Sequence, residues 1–296
     1  MGALLRALAA IVVSPLLLHG LATVLPRNSM LSFVARAIAS VSSLLVAACY
    51  GVVSSVVLRA TGYGGLSQWT TARAFKWIMW FSTGVSFAVI EGDEYLLERP
   101  AVFVGNHQTE LDVLMLGCIF PKYCSVTAKK SLKYTPFLGW FMTLSKSVFI
   151  DRGNSKTARA AFDGAANFMK NEKQSVYIFP EGTRSYADGP ELLPFKKGAF
   201  HLAVQAQVPI VPIVVANYSN VLSLKKKIFN SGVVPVKVLP PIPTKGLTAA
   251  DVDRLTTETR ESMLRTLQEL AHSEKGEAIA LKSTGAYHAP AVKKEL

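Results

Sequence analysis

The chain has 296 residues, half of them hydrophobic, with 32 Lys and Arg against 20 Asp and Glu and a formal charge of +12. That length allows one large domain plus membrane segments or two small domains, and the mean hydropathy of +0.29 is high for a soluble chain. With no zinc-finger spacing, no RNA-binding aromatic signature and no basic heptad helix, nucleic acid is the weakest of the partners a basic chain suggests, behind an anionic membrane surface and a phosphorylated ligand.

Residues 7–25 and 37–58 carry no formal charge, and each run matches the roughly 20 apolar residues that cross a bilayer core. Pro26, Arg27 and Asn28 between them suit a tight helical hairpin. A cleaved signal peptide is the alternative for the first run; its length and the second span close behind stand against it. Arg59, Arg73 and Lys76 after the second span place the rest of the chain in the cytosol, an inference that Arg27 and Arg36 weaken. A third helix is predicted over Trp69 to Phe87, where Trp69, Trp77, Trp80 and Phe81 beside Arg73 and Lys76 suit the lipid headgroup level or, equally, an ordinary core helix. Residues 1–62 are thus read as two transmembrane helices, and residues 63–90 keep both readings on their own pattern.

Beyond, strand-like runs at 87–90, 101–105, 123–127, 148–150, 176–179, 210–215 and 234–239 alternate with helical stretches at 111–120, 137–144, 156–170, 198–206 and 250–272. The pattern predicts an α/β fold: a central, mostly parallel sheet covered by helices over residues 91–273, preceded by the N-terminal transmembrane hairpin. Residues 274–296 lack apolar period and read as a flexible tail, in which Lys293 and Lys294 match a dilysine signal for the endoplasmic reticulum membrane. Cys49, Cys118 and Cys124 make neither a disulfide framework nor a metal-binding spacing.

The chemistry concentrates in three segments. His107 follows the strand-like run 101–105, and Asp112 opens the next helix. On one continuous helix that spacing would put the two roughly 140° apart, at about 100° per residue. With His107 in the turn and Asp112 in the first helical turn, the carboxylate can reach one ring nitrogen, fix the tautomer and leave the other nitrogen as a general base. A lone histidine here is more often a buried or capping residue. Asn106 or a nearby backbone N–H is a candidate for stabilising an oxyanion. Next, Lys129, with Lys130 second, and Arg152 offer cations to a substrate phosphate, though the lysines alone equally make a solvated basic loop. Last comes Phe179-Pro180-Glu181-Gly182-Thr183-Arg184: Arg184 offers a planar fork for two phosphate oxygens, Thr183 a hydroxyl, and Gly182 close backbone approach. Glu181 is expected to accept from a substrate hydroxyl or to hold Arg184.

Asn106-His107 and Asp112, followed at this separation by Phe179 to Arg184, resemble the glycerolipid acyltransferase family over roughly residues 70 to 270. The resemblance implies transfer of an acyl group from acyl-CoA, as co-substrate and without a cofactor or metal, to lysophosphatidic acid at a lipid bilayer. It implies His107 and Asp112 as the catalytic pair, and Lys129 with an arginine downstream in the phosphate pocket. It assigns Val208 to Ile213 to an apolar block near the acyl-CoA site, and it makes residues 63–90 a membrane-proximal amphipathic helix leading into the catalytic domain. Glycerol 3-phosphate or another lysophospholipid remains open as acceptor, and a lipid-binding protein with a dead site is the reading from another class.

Overall fold

A computed structural model describes residues 14–26, 29–151 and 153–271. Arg27, Asn28, Arg152, the start of the first apolar run and the tail with Lys293 and Lys294 lie outside the described residues.

Two apolar helices come first, α1 (Ser14–Val24) and α2 (Met30–Ala60). Ser29 caps α2, its side chain accepting from the Ser32 amide at 3.2 Å. Helix α2 begins well before the uncharged run because Arg36 is taken inside, buried, with its guanidinium donating to the Thr83 carbonyl. It has a mean hydropathy of 2.1 and is the one described helix long and apolar enough to cross a membrane. Its inner face is small, with Ala35, Ala39, Ser43, Ala47, Ala48 and Gly51, which lets α3 (Ser67–Thr83) approach closely. Helix α3 stops at Gly84, short of the expected Phe87, and the chain enters β1 (Val85–Glu91). Strand β1 belongs to the central sheet, so the sheet starts inside the segment read as membrane-proximal.

The sheet continues with β2 (Val102–Gly105), β3 (Cys124–Lys129), β4 (Val148–Ile150), β5 (Ser175–Ile178) and β6 (Ile210–Val215). A short β7 (Leu222–Ser223) and β8 (Ile228–Phe229) pair as a separate hairpin before β9 (Gly232–Val238). The order in the seven-stranded sheet is β1-β9-β6-β2-β5-β3-β4. All pairings are parallel except β6 with β9, so β1 and β9 run against the other five. Helices α4 (Asp112–Ile119), α5 (Leu138–Leu144), α6 (Ser155–Glu172), α7 (Gly198–Ala206) and α8 (Val252–Ala271) are the connections and cover. The central strands β2, β5 and β6 are buried at every residue, as expected for parallel strands covered on both faces. Their carboxyl ends therefore open on one edge, where a ligand site is expected in such a sheet.

Candidate active site

Strand β2 ends at Gly105, which packs so tightly on Tyr177 of β5 that a Cβ there would overlap the tyrosine hydroxyl. The turn that follows is tied to the end of β6. Asn106 exchanges two hydrogen bonds with Val215, Oδ1 accepting at 2.8 Å and Nδ2 donating at 2.9 Å. Gln108 Nε2 donates to the carbonyls of Val215 and Ala216, each at 3.0 Å. Asn106 is thus 1% exposed and spent on strand pairing, which removes its side chain as the expected oxyanion donor.

Held this way, the turn brings His107 Nδ1 to 2.7 Å from Asp112 Oδ2. The carboxylate is 1% exposed and the imidazole 13% exposed, with Nε2 left without a partner among the described residues. Asp112 opens α4 and bends back over the turn, where Oδ2 also accepts from the amides of Gln108 at 2.6 Å and Thr109 at 3.2 Å. Oδ1 accepts from Tyr218 Oη at 2.6 Å. Burial, then the Asp112 charge, push the Tyr218 phenol well above its usual range, so it stays a donor. Phe179 stacks on the imidazole with ring centroids 4.1 Å apart.

The loop after β5 carries the second half. Glu181 Oε1 accepts from the His107 amide at 2.7 Å and Oε2 from the Leu193 amide at 3.0 Å. Glu181 thus spans two backbone amides and makes no ion pair with Arg184, whose carboxylate partner is Glu110 instead of the expected Glu181. Burial raises its pKa, against the pull of those two amides and of His107. Gly182 has φ +71°, and a Cβ there would meet Lys196 Cε at 2.8 Å, so the lysine stem lies across the motif. Ser185 and Tyr186 amides return to the carbonyls of His107 and Gln108 at 2.9 and 3.1 Å, joining the two loops. Arg184 Nη1 sits 2.9 Å from Glu110 Oε1. Lys129, the last residue of β3, is exposed and has no carboxylate partner among the described residues, whereas Lys130 pairs with Asp151 at 3.2 Å. Arg152, expected beside the phosphate, lies outside the described residues.

Two cavities flank the site. A cleft of about 670 Å³ opens between α6, α7 and the ends of β3 and β5, with Thr127, Arg159, Phe179, Gly182, Lys196 and His201 on its walls. An apolar slot of about 100 Å³ runs between α2, α3, α4 and α5, with Leu44, Ala48, Phe75, Val113, Leu116 and Phe141 on its walls. The sequence reading missed Tyr218, Gln108 and Glu110: each acts through a partner brought near only by the fold.

Residues 88–216 match the family model described as Acyltransferase. The chain is 45% identical to the 1-acyl-sn-glycerol-3-phosphate acyltransferase of Saccharomyces cerevisiae over 78% of its own length and 76% of that protein. It is 49% identical to an uncharacterized acyltransferase of Schizosaccharomyces pombe over 77% of this chain and 81% of that one. It is 44% identical to the human 1-acyl-sn-glycerol-3-phosphate acyltransferase beta over 66% and 68%. The crystal structure of PlsC, the lysophosphatidic acid acyltransferase of Thermotoga maritima, superposes with a TM-score of 0.61 over 75% of this chain and 87% of that one; at 23% identity it speaks for the fold. On this identity and coverage, with the motif residues gathered at one edge of a shared fold, the chain belongs to the acyltransferase family.

Proposed function

We propose that the chain is a 1-acylglycerol-3-phosphate O-acyltransferase, which moves an acyl group from acyl-CoA to the sn-2 hydroxyl of lysophosphatidic acid and yields phosphatidic acid for phospholipid synthesis. The observation that carries the reading is the His107 Nδ1 to Asp112 Oδ2 contact of 2.7 Å, which turns Nε2 into the available base. Nε2 takes the hydroxyl proton as the oxygen forms its bond to the thioester carbonyl carbon. The intermediate collapses, the C–S bond breaks, and the imidazolium returns the proton to the departing CoA thiolate. Asp112 holds the ring and stabilises its charged form. No protein nucleophile and no metal enter this scheme.

Lys129, Arg184, Thr183 and the Gly182 backbone, with Lys196 beside them, are the groups assigned to the acceptor phosphate. The larger cleft, with Arg159, Lys196 and His201 on its walls, has the room and charge for the polar part of the donor. The slot behind Val113 and Leu116, one turn from Asp112, suits an acyl chain. Leu31, Val34, Ile38 and Val41 on α2 and Trp77, Trp80 and Phe81 on α3 are outward and apolar, which supports work at a bilayer. The cytosolic face of the endoplasmic reticulum membrane fits Arg59, Arg73 and Lys76 after α2 and the tail lysines Lys293 and Lys294.

The test is acyl transfer by detergent-solubilised protein to lysophosphatidic acid, glycerol 3-phosphate and lysophosphatidylcholine. Wild type is expected to prefer lysophosphatidic acid. His107→Ala is expected to lose about 10²- to 10⁴-fold in kcat, the usual worth of a general base. Near-normal turnover in that variant would remove the base assignment, and equal use of all three acceptors would remove the substrate.

A further inference from the structure

We infer that Tyr218 is a positioning residue of the active site, and that its hydroxyl, through the Asp112 carboxylate, sets how readily His107 gives up its ring proton and so where on the pH scale transfer begins. The inference rests on the reading of His107 as the base. Asp112 is buried and uses its two oxygens unequally. Oδ2 accepts from the His107 ring at 2.7 Å, the Gln108 amide at 2.6 Å and the Thr109 amide at 3.2 Å. For Oδ1 the only donor given by the described residues is Tyr218 Oη, at 2.6 Å. That hydroxyl is itself polarised, accepting from the Thr109 amide at 3.1 Å and from Thr109 Oγ1 at 3.0 Å.

Tyr218 is built in. Its side chain is fully buried and meets Phe87 edge-on with centroids 5.6 Å apart. Its carbonyl accepts from the amides of Val221 at 2.8 Å and Leu222 at 3.0 Å. The hydroxyl therefore has a fixed origin, and it does two things. It holds the carboxylate rotated so that Oδ2 faces the imidazole, and it draws part of the negative charge toward Oδ1. Without it, a buried oxygen goes unpaired and the charge gathers on the His107 side. A more negative carboxylate favours the imidazolium, the form that cannot take a proton. The other groups facing the pair are Glu181 and Arg184 from the loop after β5 and Tyr177 from β5, with Glu110 on Arg184. Tyr218→Phe leaves all of them in place and keeps the ring that packs on Phe87.

The experiment is kcat/KM against pH for the full chain in detergent, with lysophosphatidic acid and an acyl-CoA, for wild type, Tyr218→Phe, Thr109→Val and His107→Ala. In Tyr218→Phe the acid limb is expected to move to higher pH by about 0.5 to 1 unit, with both KM values within about twofold of wild type. Thr109→Val weakens the same donor from behind and is expected to move the limb the same way by a few tenths of a unit. It carries the test if Tyr218→Phe does not fold. An unmoved limb in a folded variant overturns the inference, whatever happens to the plateau rate. If His107→Ala is inactive and the limb stays put, the tyrosine role alone fails. If His107→Ala is active, the base assignment fails and takes this role with it.

Discussion

Arg184 already has a carboxylate before any acceptor arrives. Glu110 Oε1 lies 2.9 Å from its Nη1, and Tyr186 Oη donates to the same oxygen at 2.8 Å. The pair is 39% and 44% exposed, so it is worth at most about 1 kcal/mol, little enough that a phosphate dianion would displace it if Arg184 has the proposed role. Glu110→Gln is accordingly expected to lower the KM for lysophosphatidic acid about two- to fivefold and leave the donor KM alone, in initial rates with each substrate varied. A higher acceptor KM would mean that Glu110 aims the guanidinium instead of competing for it. Glu181 tells the opposite story. Burial dominates its raised pKa, so charging it costs stability; whatever it adds to folding is full below its unfolded pKa and is lost as pH rises through the folded one. What it does in return is pin the amide of His107. In Glu181→Gln the relief from burying a charge opposes the loss of an acceptor for one amide, about 1–3 kcal/mol. The expected result is a melting temperature within a few degrees of wild type and a kcat down about 10-fold or more. A large melting shift with normal turnover would make Glu181 structural.

At the scale of elements, the site depends on how closely β2 and β5 approach. Added at Gly105, a Cβ overlaps the Tyr177 hydroxyl and stands 2.9 Å from Cζ. Gly105→Ala is expected to destabilise by about 1–3 kcal/mol, the usual cost of overpacking. Tyr177→Phe, which removes the overlapped atom, should recover part of that loss; melting of the four proteins of the cycle measures the coupling. Strictly additive losses would mean that the strain lies elsewhere. This close approach was not legible beforehand, but the bounds of several elements were: β4 (Val148–Ile150), β6 (Ile210–Val215) and α7 (Gly198–Ala206) fall where the apolar runs and their flanking polar, glycine or proline residues put them. Strand direction was not legible, because nothing local to 234–239 marks β9 as antiparallel to β6. The β7–β8 hairpin also escaped: two-residue strands around Lys225, Lys226 and Lys227 carry no period. The closeness of His107 to Asp112 was readable from their spacing, whereas Tyr218 reaches Asp112 across 106 positions and had no local signal.

Over the whole molecule, the two faces of α2 divide the labour. The small inner face packs on α3, and the outer face shows Leu31, Val34, Ile38, Val41, Val53 and Val56 to the surroundings. Fully covering such a side chain is worth about 1.5–3 kcal/mol, and in water these half-exposed ones forgo roughly half of that each. Trp77, Trp80 and Phe81 of α3 extend the apolar surface, and Lys76 stands over the Trp77 ring at 5.1 Å, an arrangement suited to the level where hydrocarbon meets headgroups. The catalytic turn would then draw both amphiphilic substrates from the layer its own helices occupy. Replacing Val34, Ile38 and Val41 together by Ser removes part of this surface without touching the buried Ala35, Arg36 and Ala39. The triple variant is expected to lose flotation with anionic vesicles and to lose transfer when lysophosphatidic acid is presented in those vesicles, while activity in detergent micelles persists, because the His107–Asp112 geometry does not depend on those three side chains. If it floats as wild type does, the outward face of α2 is not what holds the enzyme to lipid. If activity falls equally in micelles and vesicles, the face serves packing instead.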